Sequence, residues 1–417
     1  MACPSASYLA MCLVSSNQRP LRLLTFTTLF PNSQQPDHGV FVENRLRHLV
    51  ASGEVESVIV APVPYFPSAG RCFGGWARYA RVDRLEMRYG LTVYHPRFPV
   101  IPQVGLSVRP ALLAAGTIGF VRRMLAKGAN FDVIDAHYFY PDGVAAVWMG
   151  RRLRRPVVIT ARGSDINLIP RYVLPRWMIR WGIANADRLV AVSEALKRAL
   201  VDLGAPCDRV EVLRNGVDLS MFRPTDRGVA RQRLALARPT LLSVGHLIER
   251  KGHDRVIEAM RQLPDFDLMI VGEGPEREHL SRLARRVGVA NQIRLLGSRP
   301  HATLPEVYSA ADALVLASSR EGWANVLLEA MACGTPVVAS NIWGNPEVVT
   351  TAASGVLMEE NTPDGIARAV RSLFANLPAR AATRAYSERF SWDDTTRAQI
   401  ALFRGLLAQH ISSSTSE

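Results

Sequence analysis

Two tandem series of short, continuously apolar segments, each separated from the next by stretches with helical periodicity, constrain the fold of this chain most. Strands that are apolar along their whole length are typical of parallel sheets covered by helices on both faces. Two such series in 417 residues predict an α/β protein with two doubly wound domains. The predicted strands of the first series are residues 21–26, 55–62, 131–137, 156–162, 188–193 and 209–216. Those of the second series are residues 240–247, 266–274, 293–297, 313–319, 335–340 and 354–358.

The limits of the domains follow from where this pattern stops. Turn residues and a proline interrupt it in residues 215–228, so we expect the seam between the domains there. Residues 386–409 follow the last predicted strand and carry an apolar stripe at helical spacing, which needs a partner surface. The predicted parts are a disordered lead-in at 1–19, a first domain at 20–216, a second domain at 217–385 and a polar tail at 410–417.

The cysteines and the apolar runs exclude several classes of protein. The longest apolar run, residues 110–121, is shorter than the roughly 20 residues that a membrane-spanning helix needs. No basic segment precedes the apolar patch at the amino terminus, so we do not expect a signal peptide. The five cysteines show no metal-ligand spacing, which predicts reduced thiols and no structural zinc in a cytoplasmic enzyme. These cysteines are Cys3, Cys12, Cys72, Cys207 and Cys333.

The net charge of +13 is concentrated in the first half of the chain. Residues 1–216 hold 27 Lys and Arg against 15 Asp and Glu, whereas residues 217–417 hold 23 against 22. An excess of this kind indicates an anionic partner for the first domain, such as nucleic acid, acidic lipid or a phosphate-bearing substrate. The alternative is an arginine-rich composition that only solvates helix faces. No nucleic-acid-binding motif accompanies the charge, so we expect no nucleic acid.

Several predicted loops at the carboxyl ends of strands suit a phosphate-bearing ligand. Ligands of open parallel sheets bind at this edge, where helix amino termini present free N–H groups. Gly39 precedes one predicted helix, and Arg250 and Lys251 lie in the loop after the strand at 240–247. The sequence contains neither a GxGxxG fingerprint nor a GxxxxGK[ST] loop, which argues against NAD enzymes and ATPases.

Two carboxylates, Glu321 and Glu329, stand eight residues apart in the segment EGWANVLLE. If the whole segment is helical, they lie on one face about 12 Å apart along the axis. One carboxylate then meets the reacting end of a ligand and the other meets a group further along it. A nucleotide-sugar has this reach.

With these flanks the sequence resembles the retaining glycosyltransferases of family 4, which have the two-domain GT-B fold. The resemblance covers residues 21–403 and rests on the E-x7-E motif, on AMACGTPVVAS after it, on NGVDLSMFRP and on VGEGPE. The segments HGVFVENRLRHL, DAHYFYPDG and TARGSDINL look like the subgroup that builds bacterial surface polysaccharides, including teichuronic-acid-type enzymes. The resemblance also implies that residues 386–409 pack back against the first domain.

The resemblance implies a role for each matching residue. It places Glu321 beside the donor sugar, Glu329 on the ribose hydroxyls, Lys251 on the diphosphate and His137 near the transferred carbon. The backbone amides of the loop after Glu321 would hold sugar hydroxyls and phosphate, and Gly39 would approach the phosphate from the acceptor side. The loop from Gly297 to Arg299 would contact the base. The amide-bearing loop residues are Gly322, Trp323, Asn325, Val326 and Leu327, and the acceptor-side candidates are Arg162 and Asp165.

The sequence departs from the family pattern at two places. The usual diphosphate arginine is replaced by His246, so either this imidazole or Arg250 supplies the second cation. The family's GGxxE appears as WGNPE, residues 343–347, which leaves donor preference at that wall open.

Plainer interpretations exist for the same residues. Glu321 and Glu329 could be surface carboxylates, His137 a structural histidine and Asp165 a helix N-cap. For Trp177 and Trp181, four residues apart on one helix face, we expect core packing in preference to membrane contact.

The predicted function is metal-independent, retaining transfer of a sugar from a nucleoside diphosphate to a glycan or lipid-linked acceptor, without a cofactor. A UDP-sugar is the expected donor and a GDP-sugar the second choice. The expected location is the cytoplasm, peripheral on the anionic inner face of the cell membrane. The alternatives are a nucleotide-sugar epimerase of the same fold and a catalytically silent, nucleotide-binding subunit of a polysaccharide assembly complex.

Overall fold

A computed structural model describes residues 19–68, 70, 75–101 and 105–414. The strands of the first half are β1 (Leu21–Phe26), β2 (Val55–Val60), β3 (Val63–Pro64), β4 (Leu85–Arg88), β5 (Leu91–Tyr94), β6 (Arg97–Phe98), β7 (Val133–His137), β8 (Val157–Ala161), β9 (Arg188–Ala191) and β10 (Val210–Val212). Its helices are α1 (Val40–Ala51), α2 (Ala77–Arg81), α3 (Gly105–Ala126), α4 (Val144–Leu153), α5 (Ser164–Asn167), α6 (Val173–Asn185) and α7 (Glu194–Asp202).

The second half repeats the alternation of strands and helices. Its strands are β11 (Thr240–Val244), β12 (Asp267–Val271), β13 (Ile293–Gly297), β14 (Ala313–Leu316), β15 (Val337–Ser340) and β16 (Gly355–Met358). Its helices are α8 (Arg227–Arg233), α9 (His253–Ala259), α10 (Arg277–Arg286), α11 (Leu304–Ala310), α12 (Asn325–Ala332), α13 (Asn345–Val348), α14 (Pro363–Ala375), α15 (Arg380–Ser387) and α16 (Trp392–Ser414).

Each half forms one largely parallel sheet. Within the described residues, the strand orders are β10-β9-β8-β7-β1-β2-β5-β4 and β13-β12-β11-β14-β15-β16. The strand order reverses beside β1 in the first sheet and beside β11 in the second, so each sheet opens a crevice at its carboxyl edge. The predicted α/β architecture with two doubly wound domains is confirmed. The domain limits at residues 216 and 385 stay predictions.

Several predicted strands end earlier than expected, and two of them end where a glycine turns the backbone away from the sheet. Strand β11 stops before Gly245 (φ 155°) and β12 stops before Gly272 (φ 147°). A Cβ on Gly272 would lie 1.9 Å from the Gly245 carbonyl oxygen, so these two turns pack backbone against backbone. The loops that leave the carboxyl edge of the second sheet are therefore held close to it.

The sequence pattern missed the hairpin at the edge of the first sheet. Strands β4 and β5 pair antiparallel, in contrast to the expected parallel order, and are joined at Tyr89 (φ 49°) and Gly90 (φ 79°). Two consecutive residues with positive φ are typical of the tight turns that suit hairpins. The alternation of exposed and half-buried residues in β4 was too short to be distinguished from a loop.

Helix α16 returns to the first domain, as the resemblance implied. Its buried residues Ile400, Phe403 and Leu406 share one apolar cluster with Leu46 and Leu49 of α1. The guanidinium of Arg45 donates from Nε to Gln399 of α16 at 2.8 Å, and both side chains are buried. The helix differs from the predicted segment 386–409: α16 runs from Trp392 to Ser414, and residues 386–387 belong to the separate helix α15.

Two cysteines fall in the described part of the chain, and both are free thiols: Cys207 is exposed and Cys333 is buried. Cys3, Cys12 and Cys72 lie outside the described residues, as do most of the lead-in and residues 415–417 of the tail. Across the described ranges, none of the helices combines the length and the apolar character that crossing a membrane requires.

Removal of the Phe403 ring tests whether α16 stabilises the first domain. The side chain is fully buried, so Phe403→Ala leaves a cavity and should lower the free energy of unfolding by about 3–5 kcal/mol. Arg397→Ala on the same helix is the control, since its side chain is 74% exposed. Urea unfolding of both variants measures the difference. Equal stability of the two variants would show that α16 does not contribute to the core.

Candidate active site

The carboxyl edges of the two sheets face each other across a cleft with two connected parts. The outer cleft has a volume of about 770 Å³ and is lined by His38 and Asn44 of the first domain and by His246, Arg299 and Glu329 of the second. The inner cavity, about 350 Å³, is lined by Arg162, Asn215, Arg250, Lys251 and Glu321. Both parts share the walls formed by Phe41, Asn325 and Val326, so one elongated ligand can occupy them together.

Glu321 is the centre of the charges in the inner cavity. Its Oε1 accepts hydrogen bonds from Lys251 Nζ at 2.6 Å and from the Ser318 hydroxyl at 2.7 Å. Its Oε2 lies 3.6 Å from an Arg250 guanidinium nitrogen. Burial alone would raise the pKa of Glu321, but the two cations and these hydrogen bonds outweigh it and lower the pKa. The carboxylate is therefore ionised and holds both cations at the cavity wall.

The second cation of this group is Arg250, and His246 lies elsewhere. Arg250 lines the inner cavity and also donates to the Arg320 carbonyl at 2.8 Å. His246 lines the outer cleft beside Gly245 and Gly272. The two candidates for the missing diphosphate arginine are thus separated, and Arg250 is the one next to Lys251.

Glu329 lies in the outer cleft between two partners that the sequence did not single out. Tyr308 donates its hydroxyl to Oε2 at 2.8 Å, and His301 Nε2 lies 3.3 Å from Oε1. Burial lowers the pKa of His301, but the hydrogen bond and the charge of Glu329 raise it by more. The net effect is a raised pKa. Both partners follow β13 in the segment PHATLPEVY. The only sequence signal for them was a histidine and a tyrosine seven residues apart, which is two helical turns.

The two carboxylates do not share one helix, which corrects the expected geometry. Helix α12 begins only at Asn325, and Glu321 precedes it in a loop that bends at Gly322. The reason is a close approach between the domains: a Cβ on Gly322 would lie 2.0 Å from the Arg162 carbonyl oxygen. Asn167 of the first domain also donates to the Glu321 carbonyl at 3.2 Å. A helical turn at Gly322 would break this contact.

Most residues of the segment after Glu321 line the inner cavity, and one is buried beneath it. Gly322, Trp323, Asn325 and Val326 line the inner cavity. Leu327 does not, because its side chain is buried and its amide donates to the Ala324 carbonyl. Arg299 and its neighbour Ser298 line the outer cleft.

Two glycines shape the cleft through their backbone conformation. Gly39 (φ 77°) precedes α1, and a Cβ there would lie 2.3 Å from the Leu29 carbonyl oxygen. Gly297 (φ 74°) ends β13, and a Cβ there would meet the Glu273 carboxylate at 3.0 Å. Both positions therefore require glycine, whatever ligand binds.

His137 is buried in a polar network and is not part of the cavity wall. Its Nδ1 accepts from Arg162 at 2.6 Å, and its Nε2 lies 3.2 Å from Asp135. Burial, the largest effect, lowers the pKa of His137 to about 4, although Asp135 opposes it. The ring is neutral at pH 7 and meets the cavity only through Arg162. Contact of His137 with the donor sugar stays a prediction.

Asp165 serves the backbone of two loops. Its carboxylate accepts from the amides of Phe139 at 2.7 Å and of Gly163 at 2.6 Å, and also from the Arg162 amide. Burial still raises its pKa above the ordinary value. The residue is buried and positions the loops, whereas Arg162, 8% exposed, reaches the inner cavity. Of the two acceptor-side candidates, only Arg162 is available to a ligand.

Of the two tryptophans of α6, one agrees with the expected core packing and one does not. Trp181 packs on Trp148 with ring centroids 5.7 Å apart, in agreement with core packing. Trp177 is 64% exposed, so the expectation of core packing was wrong for this residue. The reason is that α6 contacts the first domain along one side only, through Ile179 and Ile183.

Among the described residues, no group of three or more His, Cys, Asp or Glu side chains is arranged to hold a metal ion. Metal independence itself stays a prediction. The cavity contains instead three cationic side chains, Arg162, Arg250 and Lys251, and one carboxylate, Glu321. This balance suits a polyanionic ligand.

Comparison with known proteins identifies the family. Residues 39–221 match the family model Glycosyltransferase Family 4, and residues 226–390 match Glycosyl transferases group 1. D-inositol 3-phosphate glycosyltransferase 1 of Catenulispora acidiphila is 30% identical, over 93% of this chain and 96% of that protein. The putative teichuronic acid biosynthesis glycosyltransferase TuaC of Bacillus subtilis is 28% identical, over 78% and 82% of the two chains. Anabaena Alr3699/HepE, crystallised with UDP-glucose, superposes with a TM-score of 0.65 at 18% identity, over 94% and 99%.

Two facing doubly wound domains with a charged cleft between them define a glycosyltransferase of the GT-B fold class. The chain belongs to glycosyltransferase family 4. The resemblance inferred from the E-x7-E segment and its flanks, including the teichuronic-acid-type relative, is confirmed.

The lowered pKa of His137 predicts a loss of stability in acid. The unfolded chain binds this proton near pH 6.5 and the folded protein only near pH 4, so the unfolded state takes up more protons between these values. From pH 7 to pH 5 the native state should lose about 2 kcal/mol through this residue. His137→Gln should remove that part of the pH dependence in chemical unfolding.

The control for this measurement is His279→Gln, which changes an exposed histidine of the second domain. It should retain the wild-type dependence on pH. A His137→Gln variant whose stability falls as steeply as that of the wild type would contradict the assignment of a neutral, buried ring.

Proposed function

We propose that this glycosyltransferase transfers a sugar from a UDP-sugar, with retention of configuration and without a metal ion. The observation that carries the proposal is the pair of adjacent compartments, each with a carboxylate held by basic side chains: Glu321 faces Arg250 and Lys251 in the inner cavity, and Glu329 faces His301 in the outer cleft. The relative Alr3699/HepE was crystallised with UDP-glucose, which supports a UDP-sugar donor here.

In this arrangement the nucleoside lies in the outer cleft. Glu329 accepts hydrogen bonds from ribose hydroxyls, while His301 and Tyr308 hold its carboxylate in place. Charge-assisted hydrogen bonds of this kind are the strong ones. The base lies against the loop at Ser298 and Arg299.

The diphosphate then reaches the inner cavity. The charge that develops on it during transfer is met by Lys251, by Arg250 and by the free amides at the start of α12. These fixed groups replace the role that a magnesium ion plays in other designs. Glu321 holds the two cations in place before the donor binds.

The first domain supplies the acceptor side, and two acceptors are candidates. A lipid-linked glycan is favoured by the surface described below. A soluble inositol phosphate is favoured by the Catenulispora acidiphila relative, whose name specifies D-inositol 3-phosphate. Arg162 would bind the anionic group of either acceptor.

The surface of the first domain is more cationic than its composition suggests. Residues 87–186 contain 14 Lys and Arg but only four acidic residues. All four acids are buried, with exposures of 9% or less. The buried acids are Asp132, Asp135, Asp142 and Asp165. Every one of the cations except Arg162 is at least partly exposed. Residues 87–186 therefore present cations but no exposed carboxylate to the solvent.

Apolar side chains project from the same surface at the start of α6. Tyr172, Val173, Leu174 and Trp177 are 54–79% exposed, and Arg171, Arg176 and Arg180 surround them. Aromatic and apolar groups flanked by arginines are typical of helices that lie in the interface of an anionic membrane. We therefore propose peripheral docking through α6, which would bring the cleft to a lipid-linked acceptor.

The donor assignment predicts different effects of the two carboxylates. Glu329→Ala should weaken UDP binding roughly 10- to 150-fold, because charge-assisted hydrogen bonds are worth about 1.5–3 kcal/mol. Glu321→Ala should leave UDP binding closer to normal and strongly lower turnover. Calorimetric titration with UDP and GDP, and product formation with a panel of their sugars, measure the two quantities.

Glu359→Ala is the control, since Glu359 is an exposed carboxylate of the second domain. Near-wild-type behaviour of both Glu321 and Glu329 variants would contradict the proposed site. Donor turnover without any acceptor, giving an altered UDP-sugar, would favour the epimerase. Nucleotide binding with no turnover on any donor and acceptor would favour the silent subunit.

Membrane docking predicts binding that depends on lipid charge. The protein should bind vesicles rich in phosphatidylglycerol, bind neutral phosphatidylcholine weakly, and dissociate as salt rises. Removal of two arginines in Arg176→Gln/Arg180→Gln should weaken binding roughly 30-fold, at about 1 kcal/mol each. Arg282→Gln/Arg286→Gln, which changes two exposed arginines of α10, is the matched control.

Flotation at graded salt measures this binding. Equal affinity for both kinds of vesicle, or none for either, would leave the cationic surface without a membrane role. In that case turnover with soluble D-inositol 3-phosphate and a UDP-sugar would identify the second candidate acceptor.

A further inference from the structure

Glu347 of the second domain accepts four hydrogen bonds from the first domain. Its Oε2 accepts from the Glu194 amide at 3.0 Å and its Oε1 accepts from the Ala195 amide at 3.0 Å. Its Oε2 also accepts from Nε and Nη2 of Arg214, at 3.2 and 2.9 Å. The carboxylate of the WGNPE segment, which differs from the family's GGxxE pattern, thus receives four hydrogen bonds across the cleft.

These bonds complete the amino terminus of α7. The first four amides of a helix have no partner inside it. In α7 the Leu196 amide donates to the Ser193 hydroxyl and the Lys197 amide to the Ser193 carbonyl. The Lys197 bond is already the first regular bond of the helix, from a residue to the one four positions before it. The amides of Glu194 and Ala195 precede this pattern, and Glu347 accepts from both. The first domain therefore provides the acceptor for the Leu196 amide, and the second domain provides the acceptors for those of Glu194 and Ala195.

The segment that carries Glu347 also supports the loop of Glu321. A Cβ on Gly344 would lie 2.4 Å from the Gly322 carbonyl oxygen and 3.3 Å from Ser193 Cβ, so the segment is wedged between the two. The Arg214 guanidinium stands 5.9 Å from the Trp323 ring centroid. Displacement of Glu347 would thus be transmitted to Gly322 and Trp323 on the wall of the inner cavity.

We propose that Glu347 is a positioning residue, which holds the Glu321–Trp323 loop of the donor domain in register with the first domain. Glycosyl transfer needs an acceptor hydroxyl from one domain to meet a donor carbon held by the other. A small misplacement of reacting groups is costly to the rate. The shared carboxylate fixes this relation without touching either substrate.

The proposal does not depend on which sugar or nucleotide is used. It makes two statements that can be measured separately. The contact exists in solution, and its loss lowers turnover while donor binding is retained. The first is read without any substrate, so failure of the proposed UDP-sugar function would leave it testable.

The substitution Glu347→Gln keeps the size of the side chain but removes its charge. Hydrogen–deuterium exchange of the peptide that contains Glu194 and Ala195 should become at least about tenfold faster, because charge-assisted hydrogen bonds protect these amides. Turnover should fall about tenfold or more, while the UDP dissociation constant changes less than about threefold. Arg214→Met should have a smaller effect, since both helix amides keep their acceptor.

Glu359→Gln is the control, a substitution at an exposed carboxylate of the same domain. It should change neither exchange at α7 nor turnover. Unchanged exchange in Glu347→Gln would show that the contact is absent in solution and would overturn the proposal. Faster exchange with normal turnover would reduce Glu347 to a structural tie and would also overturn it. A loss of UDP binding as large as the loss of turnover would make Glu347 part of the donor site instead.

Discussion

The site depends on a buried chain of hydrogen bonds that runs through both domains. It passes from Arg45 to Gln399, from Gln399 to Asp135, and through His137 to Arg162. Arg162 donates to Asn215 in the segment between the sheets, and Asn215 donates to Asn325 at the start of α12. Burying an arginine is costly unless its donors are paired, so each member constrains the rotamer of the next. Helix α16 therefore supports the cavity wall as well as the apolar core.

The same network holds the buried cations behind the cleft and balances part of their charge. Burial lowers the pKa of Arg45 to about 10 and lowers that of Arg162 well below its usual value. Asp135 balances part of this charge, and its own pKa is lowered because the contact with His137, followed by the charges of Arg45 and Arg162, outweighs the effect of its burial. A bound polyanion would relieve the remaining imbalance.

The sequence predicted whatever depends on local pattern and little of what depends on approach between distant segments. Apolar strands identified both sheets, and the flanks of Glu321 identified the family. The partners of Glu329 were missed, because His301 in the turn before α11 and Tyr308 in α11 reach it from another part of the chain. The break before α12 was missed for the same reason: Gly322 packs against the Arg162 backbone, 160 positions away in the chain. Glu347 appeared only as the end of a degraded motif, whereas its contacts make it a bridge between the domains.

Charge asymmetry shows how folding can amplify a feature of composition. The excess of basic residues in residues 1–216 describes the chain, but a membrane or a substrate meets only the surface. Folding of residues 87–186 places every acidic side chain inside, where each accepts hydrogen bonds or pairs with a cation or histidine. The cations stay outside because their long side chains reach water at little cost. Buried acids therefore support the loops of the site while leaving an uncompensated positive surface around it. In the proposed docking, the field of this cationic surface would extend over a Debye length of about 8 Å at physiological salt and would orient the first domain toward an anionic layer before any apolar side chain makes contact.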